Sequence, residues 1–516
     1  MTSPAFDRVT VPPMDEYNQK LVNHLHPNDW VNPKPTGVYD LVVIGAGTAG
    51  LVVAAGSAGL DIGLKIAIIE KHLMGGDCLN VGCVPSKCVI RSSRVVGEMR
   101  NAATFGIGVP ENIKIDFPAV MQRMRKLRAG ISHHDSAQRF ASLGIDVFLG
   151  SGTFTGENTI AVGDRTLQFK KAVIATGARA VRPKIDGIEG VGYLTNETVF
   201  NLTTRPNRLA VIGGGPIGCE LAQSFRRLGC EVVLLHRGSH ILNKEDADAA
   251  DIVQNVFDRE GLQVELGIKL TRATQSETGK VLHFEQNGQL RSIEVDEILV
   301  GAGRAANVEG LNLEQMGVKY DKYGVHVDDY LQTSNPQILA AGDICKGYWK
   351  FTHAAESAAV IVIKNALLSP FGLTKYKVSD LTMPWVTFTD PEIAHVGMYE
   401  HEAQEKGISV STIKVPMDTV DRAIADSETE GFVKVHHKTG SDKILGATIV
   451  APHAGEMISE VTMAMYNKIG LKKIASVIHP YPVQADGIKK AAAAYRKTLV
   501  TPMAKKLLKF INKLSG

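Results

Sequence analysis

Apolar runs that stop at glycine recur along the chain, and small or apolar residues at helical spacing follow them. The first, DLVVIGAGTAGLVVAAGSAG from Asp40, reads as a buried strand, a tight turn and a small-residue helix. KIAIIE, ending at Glu70, supplies the next strand. The same order returns in RLAVIGGGPIGCELAQSFRRLG and CEVVLLHR, so two βαβ units are predicted in one chain. Between them lie a helical stretch over about 115–142, short strands in IDVFLGSGTF, and KKAVIATGARA. EILVGAGRAAN and ILAAGDI then end two further apolar strands in glycine. From about residue 382 the pattern changes: WVTFTD, FVKVHH and ILGATIV read as strands and AGEMISEVTMAMYNKIG as a helix. That predicts a separate α+β domain with an antiparallel sheet. Residues 1 to about 39, polar and interrupted by proline, read as an extension ahead of the first domain. The closing AKKLLKFINKLSG reads as a basic amphipathic helix.

At 516 residues the chain has room for several domains with full cores. Its 44% apolar and 22% charged residues are ordinary for a globular protein, while 50 glycines suit tight turns and nucleotide loops. A formal charge of +3 is too small at this size to support nucleic-acid binding. No apolar run reaches the length of a bilayer crossing, and the acid-containing N-terminus lacks the apolar core of a secretory signal. Six cysteines do not make a disulfide scaffold. The expectation is a cytoplasmic protein with no nucleic-acid partner.

Each glycine turn has G-x-G-x-x-G order: Gly45, Gly47 and Gly50 in the first unit, Gly213, Gly215 and Gly218 in the second. The first glycine makes the turn, the second admits a pyrophosphate, and the third lets the helix pack on the strand. One copy alone also serves structure; two in order point to nucleotide binding. Glu70 ends the first unit where an acid holds an adenosine ribose. The same place in the second unit carries His236 and Arg237. A guanidinium there pairs with a 2′-phosphate that an acid would repel, so NADPH is the expected nucleotide. Gly218 suits NAD equally, and a merely solvated Arg237 is the alternative, which leaves NADH open.

GGDCLNVGCVPSK places Cys78 and Cys83 with four residues between them, a stretch that can form one helical turn and bring the two together. Three readings compete. A structural disulfide is out of place in a cytoplasmic protein. A metal clip needs further Cys or His ligands at metal spacing, and none sits nearby; the expectation is no metal site. A redox-active disulfide fits the glycines before the pair and the Lys87 charge after it, which favours a thiolate. The redox reading is preferred. Cys88, Cys219, Cys230 and Cys345 lie in apolar or loop surroundings and read as inert.

Taken together, GAGTAG with Glu70, GGDCLNVGCVPSK, ATGA (175–178), GGGPIGCE, GAGR (301–304), AAGD (340–343) and FTDPEIAHVG (388–397) resemble the flavin-dependent pyridine nucleotide-disulfide oxidoreductases. That family includes glutathione reductase, dihydrolipoamide dehydrogenase and mercuric reductase. The likeness runs from about residue 40 to 500. It implies an α/β fold of two Rossmann-like dinucleotide-binding domains, for FAD and NAD(P), plus a C-terminal α+β dimerisation domain. The implied boundaries are an extension to 39, an FAD domain at 40–190 and 309–381, an NAD(P) domain at 191–308, and an interface domain at 382–516. The resemblance counts Ala175, Thr176, Gly177, Gly303, Arg304, Gly342 and Asp343 among the cofactor-binding positions, with Asp343 on the FAD ribityl chain. It also implies Lys87 paired with Glu220 beside the flavin, and a homodimer. Electrons would pass from NADPH through FAD to the disulfide, with Cys83 on the flavin side and Cys78 meeting the acceptor.

Relatives that reduce disulfides end in His-Pro-Thr-x-x-Glu, which acts across the dimer interface. Here the stretch is HPYPVQADGIKKAA. With His479 in the catalytic slot, the acid position holds Gln484; with Tyr481 there, it holds Asp486. The second register is preferred, and it resembles mercuric reductase. Tyrosine is a poor proton acceptor at neutral pH, whereas soft metal ions favour thiolates. Pro216, standing where glutathione reductase has its nicotinamide-gating tyrosine, agrees. No Cys follows Cys345 and no Tyr lies between Tyr39 and Tyr193, and the polar stretch to residue 39 is not expected to be a metal-binding domain, all of which depart from that branch. His133-His134-Asp135 reads as a solvated patch, and Asp77 beside the first cysteine is expected to lower the disulfide's potential. The expected acceptor is a soft metal ion, with a small disulfide such as lipoamide, or a quinone at a membrane surface, as alternatives. The basic helix is expected to pack on the dimer rather than on a membrane.

Overall fold

Continuous β-branched and aliphatic runs flanked by glycine form buried parallel strands, because both faces of the sheet must be covered. The computed structural model describes residues 8–110, 112–301, 303–369 and 373–515. Residues 1–7 of the expected extension, Ala302 of GAGR and Gly516 lie outside the described residues.

The chain begins with helix α1 (Glu16–Leu25), then β1 (Val38–Ile44), α2 (Thr48–Ala58) and β2 (Ile66–Glu70). Two helices, α3 (Gly76–Asn80) and α4 (Cys83–Arg100), follow, and then α5 (Phe117–Ile131). Strands β3 (Ile145–Leu149), β4 (Gly152–Gly156), β5 (Thr159–Val162) and β6 (Arg165–Ile174) complete the first sheet in the order β3-β2-β1-β6-β5-β4. The second unit comprises β7 (Arg208–Ile212), α6 (Pro216–Arg227), β8 (Glu231–Leu235), β9 (Gln263–Glu265) and β10 (Glu297–Val300). Its parallel sheet runs β9-β8-β7-β10, with a three-stranded antiparallel sheet from residues 269 to 295 beside it. The chain then returns: β11 (Ile338–Ala340) pairs in parallel with β6, and α7 (Thr352–Leu367) packs on α2. Strands β12 (Pro384–Thr387), β13 (Glu392–Gly397), β14 (Val410–Pro416), β15 (Phe432–Lys438) and β16 (Ile444–Ala451) form an antiparallel sheet ordered β12-β13-β16-β15-β14. Helices α8 (Ala454–Tyr466), α9 (Asp486–Thr498) and α10 (Pro502–Ser515) close the chain.

The segment ahead of β1 is built into the first domain. Leu21, Val22 and Leu25 enter its core, Trp30 Nε1 donates to the Val147 carbonyl at 3.1 Å, and Asn32 exchanges two hydrogen bonds with Leu149 of β3. Arg128, 1% exposed, ties this segment to the cysteine region: it donates to Asn18 Oδ1 at 2.7 Å and to the Asn80 carbonyl at 2.6 Å. Asn80 in turn donates to the carbonyls of Met74 and Gly76. The last residues of α3 are therefore held from two sides.

Replacing Arg128 by Leu strands the Asn18 and Asn80 acceptors, at a cost on the order of 3 kcal/mol. The expected outcome is a lower thermal unfolding midpoint together with faster amide exchange in α1 and α3. Unchanged exchange in both helices would show that Arg128 does not join them.

Candidate active site

The two cysteines stand at a break between helices: α3 carries Cys78, and α4 starts at Cys83 with Gly82 as its cap. The expectation that one helical turn joins them is corrected by this break. At about 100° per residue, side chains five positions apart on one helix point about 140° away from each other. The backbone instead kinks at Gly82 (φ −133°, ψ −113°), where a Cβ would fall 2.8 Å from the Asp77 carbonyl oxygen. The kink brings Cys83 beside Cys78, so that each thiol shifts the titration of the other.

Cys83 heads an 18-residue helix, whose N-terminus favours an anion. Its thiol is drawn down to about 6, chiefly by the hydrogen bond from Cys78 and further by Thr352 and Lys87, against burial and the Glu220 charge. Thr352 Oγ1, the first residue of α7, lies 3.1 Å from Cys83 Sγ. Cys78 moves the other way: its bond to Cys83, burial and the Asp135 carboxylate all keep it as the thiol.

Lys87 lies one turn along α4 from Cys83 and so shares its face. Its Nζ is 2.8 Å from Glu220 Oε2 and 4.2 Å from the Phe388 ring centroid. Glu220, buried on α6, takes the Phe388 backbone N–H on its other oxygen at 2.9 Å. A hollow of about 390 Å³ opens beside Cys83, Lys87, Arg91 and Arg123.

The first glycine turn reaches this centre. A Cβ on Gly45 (φ +105°) would meet the Ala175 carbonyl oxygen at 2.4 Å, and one on Gly50 would meet the Gly45 oxygen at 1.8 Å; only glycine fits either place. Gly47 caps α2, and a Cβ on Gly76 would fall 2.5 Å from its Cα, so the turn lies directly against the cysteine loop. Glu70 Oε2 accepts the Ala46 N–H at 2.7 Å and Oε1 the His72 N–H at 2.8 Å. This carboxylate thus holds the turn itself, besides standing where a ribose is expected. Thr176 and Asn307 exchange two hydrogen bonds of 2.9 Å next to Gly177. Asp343, which follows Gly342, lies 3.3 Å from Arg304. Arg304, next to Gly303, also pairs with Asp77. The Asp77 charge beside Cys78 is therefore matched by a cation, which offsets the lowering of potential expected of it.

In the second unit Gly215 caps α6, and a Cβ on Gly218 would fall 1.9 Å from the Gly213 oxygen. His236 Nδ1 accepts the Gly214 N–H at 3.0 Å, the bond that Glu70 makes in the first unit. Burial, followed by the Arg237 charge, lowers its pKa and keeps this acceptor neutral, while Nε2 has no partner. Arg237 is exposed.

Two expected site residues stand apart, in the C-terminal domain. Tyr481, 76% exposed, donates its hydroxyl to Asp421 Oδ2 at 3.0 Å, and that bond raises its pKa. Asp486 is not its partner: it begins α9 and faces Lys490 at 3.7 Å, one helical turn on. His479 has a nearly buried side chain and bonds Glu460 at 2.9 Å, and Gln484 bonds Glu428. Nothing in the sequence marks Thr352 or Asp421, and Asp135 is expected there only in a solvated patch. Asp135 belongs to the His133-His134-Asp135 run; the histidines are exposed, but its carboxylate lies 3.1 Å from the Cβ position of Gly75. Among the described residues no group of three His, Cys, Asp or Glu is placed to hold a metal. Cys219, Cys230 and Cys345 are buried, and burial pushes their thiols up.

The glycine cradle around Gly45, Gly47, Gly76 and Gly342, with Asp343 at its edge and Lys87 beside the thiols, fits a flavin dinucleotide. Comparison with known proteins agrees. Residues 39–359 match the pyridine nucleotide-disulphide oxidoreductase family, and residues 383–492 match its dimerisation domain. A mercuric reductase of Staphylococcus aureus is 35% identical over 466 residues, covering 89% of this chain and 83% of that one. A dihydrolipoyl dehydrogenase of Chlamydia muridarum is 34% identical over 458 residues, covering 87% and 95%. Among solved structures, the Cu(II) complex of the HOCl-induced flavoprotein disulfide reductase RclA from Escherichia coli aligns with a TM-score of 0.79 at 26% identity, covering 89% of this chain and all of that one.

In the reduced protein, alkylation of Cys83 is expected to track its thiolate: rapid above about pH 6 and lost as pH falls through that value. Thr352→Val removes a donor to the thiolate, so the midpoint is expected to rise. Iodoacetamide rates across pH, resolved by peptide mass, measure both. A midpoint unmoved in the variant would remove Thr352 from the site.

Proposed function

The chain belongs to the pyridine nucleotide-disulphide oxidoreductase family, whose members use FAD and NAD(P)H and dimerise through the domain matched at 383–492, and on that premise we propose a cytoplasmic NADPH-dependent reductase of a soft metal ion. What supports it is an activated Cys83 thiolate with Cys78 beside it, together with the sequence register that assigns Tyr481 rather than His479 to the slot of the thiol base. Relatives named mercuric reductase and the Cu(II) complex of RclA support the same reading.

The first glycine turn, Asp343 and the Lys87–Glu220 pair would hold the flavin, which when bound carries two electrons from the nicotinamide to the sulfurs. The second turn would hold the nucleotide pyrophosphate at the N-terminus of α6, with the exposed Arg237 on the 2′-phosphate and His236 holding the turn. Cys78 and Cys83 would take the ion as thiolates, releasing the Cys78 proton. A divalent ion reduced to the metal consumes the two electrons of NADPH and yields NADP⁺ and one proton. Tyr481, raised in pKa by Asp421, stays a hydroxyl at neutral pH and would act as a donor and ligand guide across the dimer interface, not as a base.

A second reading rests on the His479–Glu460 pair, two residues from Tyr481. An imidazole oriented by a carboxylate is the equipment of thiol–disulfide exchange, so a small disulfide is the alternative acceptor.

NADPH oxidation by the purified protein with Hg(II) plus excess thiol, lipoamide or a quinone separates these readings. Turnover with Hg(II), reduced about tenfold or more by Tyr481→Phe and little by His479→Gln, is expected. Lipoamide turnover abolished by His479→Gln would overturn the metal reading. Arg237→Glu is expected to shift the NADPH-to-NADH ratio of kcat/KM by about 10- to 100-fold towards NADH, the worth of one charged hydrogen bond. An unchanged ratio would place the 2′-phosphate elsewhere.

A further inference from the structure

The closing helix α10 rests on nothing in its own chain: every described side chain from Pro502 to Ser515 is exposed. At about 100° per residue, Met503, Leu507, Leu508, Phe510, Ile511 and Leu514 fall in an arc of roughly 160°. Lys505, Lys506, Lys509 and Lys513 fall in a separate arc of roughly 100° on the other side. The six apolar side chains are each between 47% and 79% exposed. An apolar face of this breadth stays out of water only if something covers it.

Charge identifies the cover. From Arg496 to Ser515 the chain holds six cations and no acid, while the whole protein nets only +3. Leu499 and Val500, exposed in the link from α9, extend the apolar surface. A lysine-only polar face on a leucine-rich helix matches an anionic headgroup layer above an acyl boundary, where lysine stems reach up to the charge while their methylenes stay in the apolar zone. At 14 residues the helix is about 21 Å long and lies in the interface; among the described residues no helix is long and apolar enough to cross a membrane. We propose that α10 docks the protein on the surface of an anionic lipid bilayer. The sequence-based expectation is that the helix packs on the dimer, and the test separates the two.

The test is co-sedimentation of the full-length, FAD-loaded protein with phosphatidylcholine vesicles, with and without phosphatidylserine. Binding is expected on the anionic vesicles alone and is expected to fall steeply with added salt. Leu507→Glu with Leu514→Glu should abolish binding, and Lys505→Gln with Lys509→Gln should weaken it about tenfold or more, a few-fold for each lysine. NADPH oxidation with a soluble acceptor should be unchanged in both variants. Failure of the unmodified protein to sediment with anionic vesicles would overturn the proposal. So would equal binding by the Leu507→Glu, Leu514→Glu variant. Conversion of the dimer to a monomer by that variant, with no vesicle binding by either form, would assign the helix to the dimer instead.

Discussion

One carboxylate joins the three parts of this molecule. Glu220 comes from the helix of the second glycine turn, takes the ammonium of Lys87 from the cysteine helix, and takes a backbone N–H from Phe388 of the C-terminal domain. Removing Lys87 leaves the buried Glu220 charge uncompensated, a cost of several kcal/mol, whereas the Lys87 side chain is partly open to solvent. Its position has a chemical result as well. Lys87 lies on the Cys83 face of α4 and favours the thiolate, while Glu220 opposes it. The pair therefore sets the relative placement of two nucleotide turns and the cysteines, and leaves the hydrogen bonds from Cys78 and Thr352 to settle which sulfur carries the charge.

The two glycine turns are built on one plan with one exchange. In each, a residue at the end of the second strand accepts the backbone N–H that follows the first glycine: Glu70 does so with a carboxylate, His236 with a neutral imidazole. Both hold the turn. They differ in the charge they leave for a ligand. A carboxylate accepts ribose hydroxyls and repels a phosphate, while a neutral imidazole with a buried Nε2, followed by an exposed Arg237, carries no negative charge. The exchange keeps the turn and removes a carboxylate from the place where the second nucleotide is expected.

Much of this was legible in the sequence, for a physical reason. Glycine turns, apolar strand ends and the cysteine motif are local: Gly45 and Gly50 have no room for a Cβ, and that requirement is written at those positions. What was not legible depends on partners far along the chain. Thr352 meets Cys83 across 269 residues, and nothing in FTHAAES marks it. Asp421 takes the Tyr481 hydroxyl where the spacing pointed to Asp486, because α9 begins at Asp486 and directs that carboxylate to its own Lys490. The segment before β1 looked like an overhang because its prolines hide a short helix whose Leu21 and Leu25 are buried.

The same distinction bears on the acceptor. Cysteines, turns and the Lys87–Glu220 pair serve any reaction in which two electrons reach a sulfur pair, so they do not discriminate between a metal ion and a disulfide. Discrimination falls to the group that manages the last proton. A disulfide needs two protons delivered as it becomes two thiols, which favours an imidazole that titrates near neutrality. A soft ion held by thiolates needs none delivered, and a hydroxyl with a raised pKa suffices to steer it. Tyr481 is exposed and turned outward, while His479 is tucked against Glu460 with its side chain nearly closed to solvent. For His479 to act on a substrate it would have to leave that pocket, whereas Tyr481 already faces out, and on this difference in access the proposal of a metal acceptor rests.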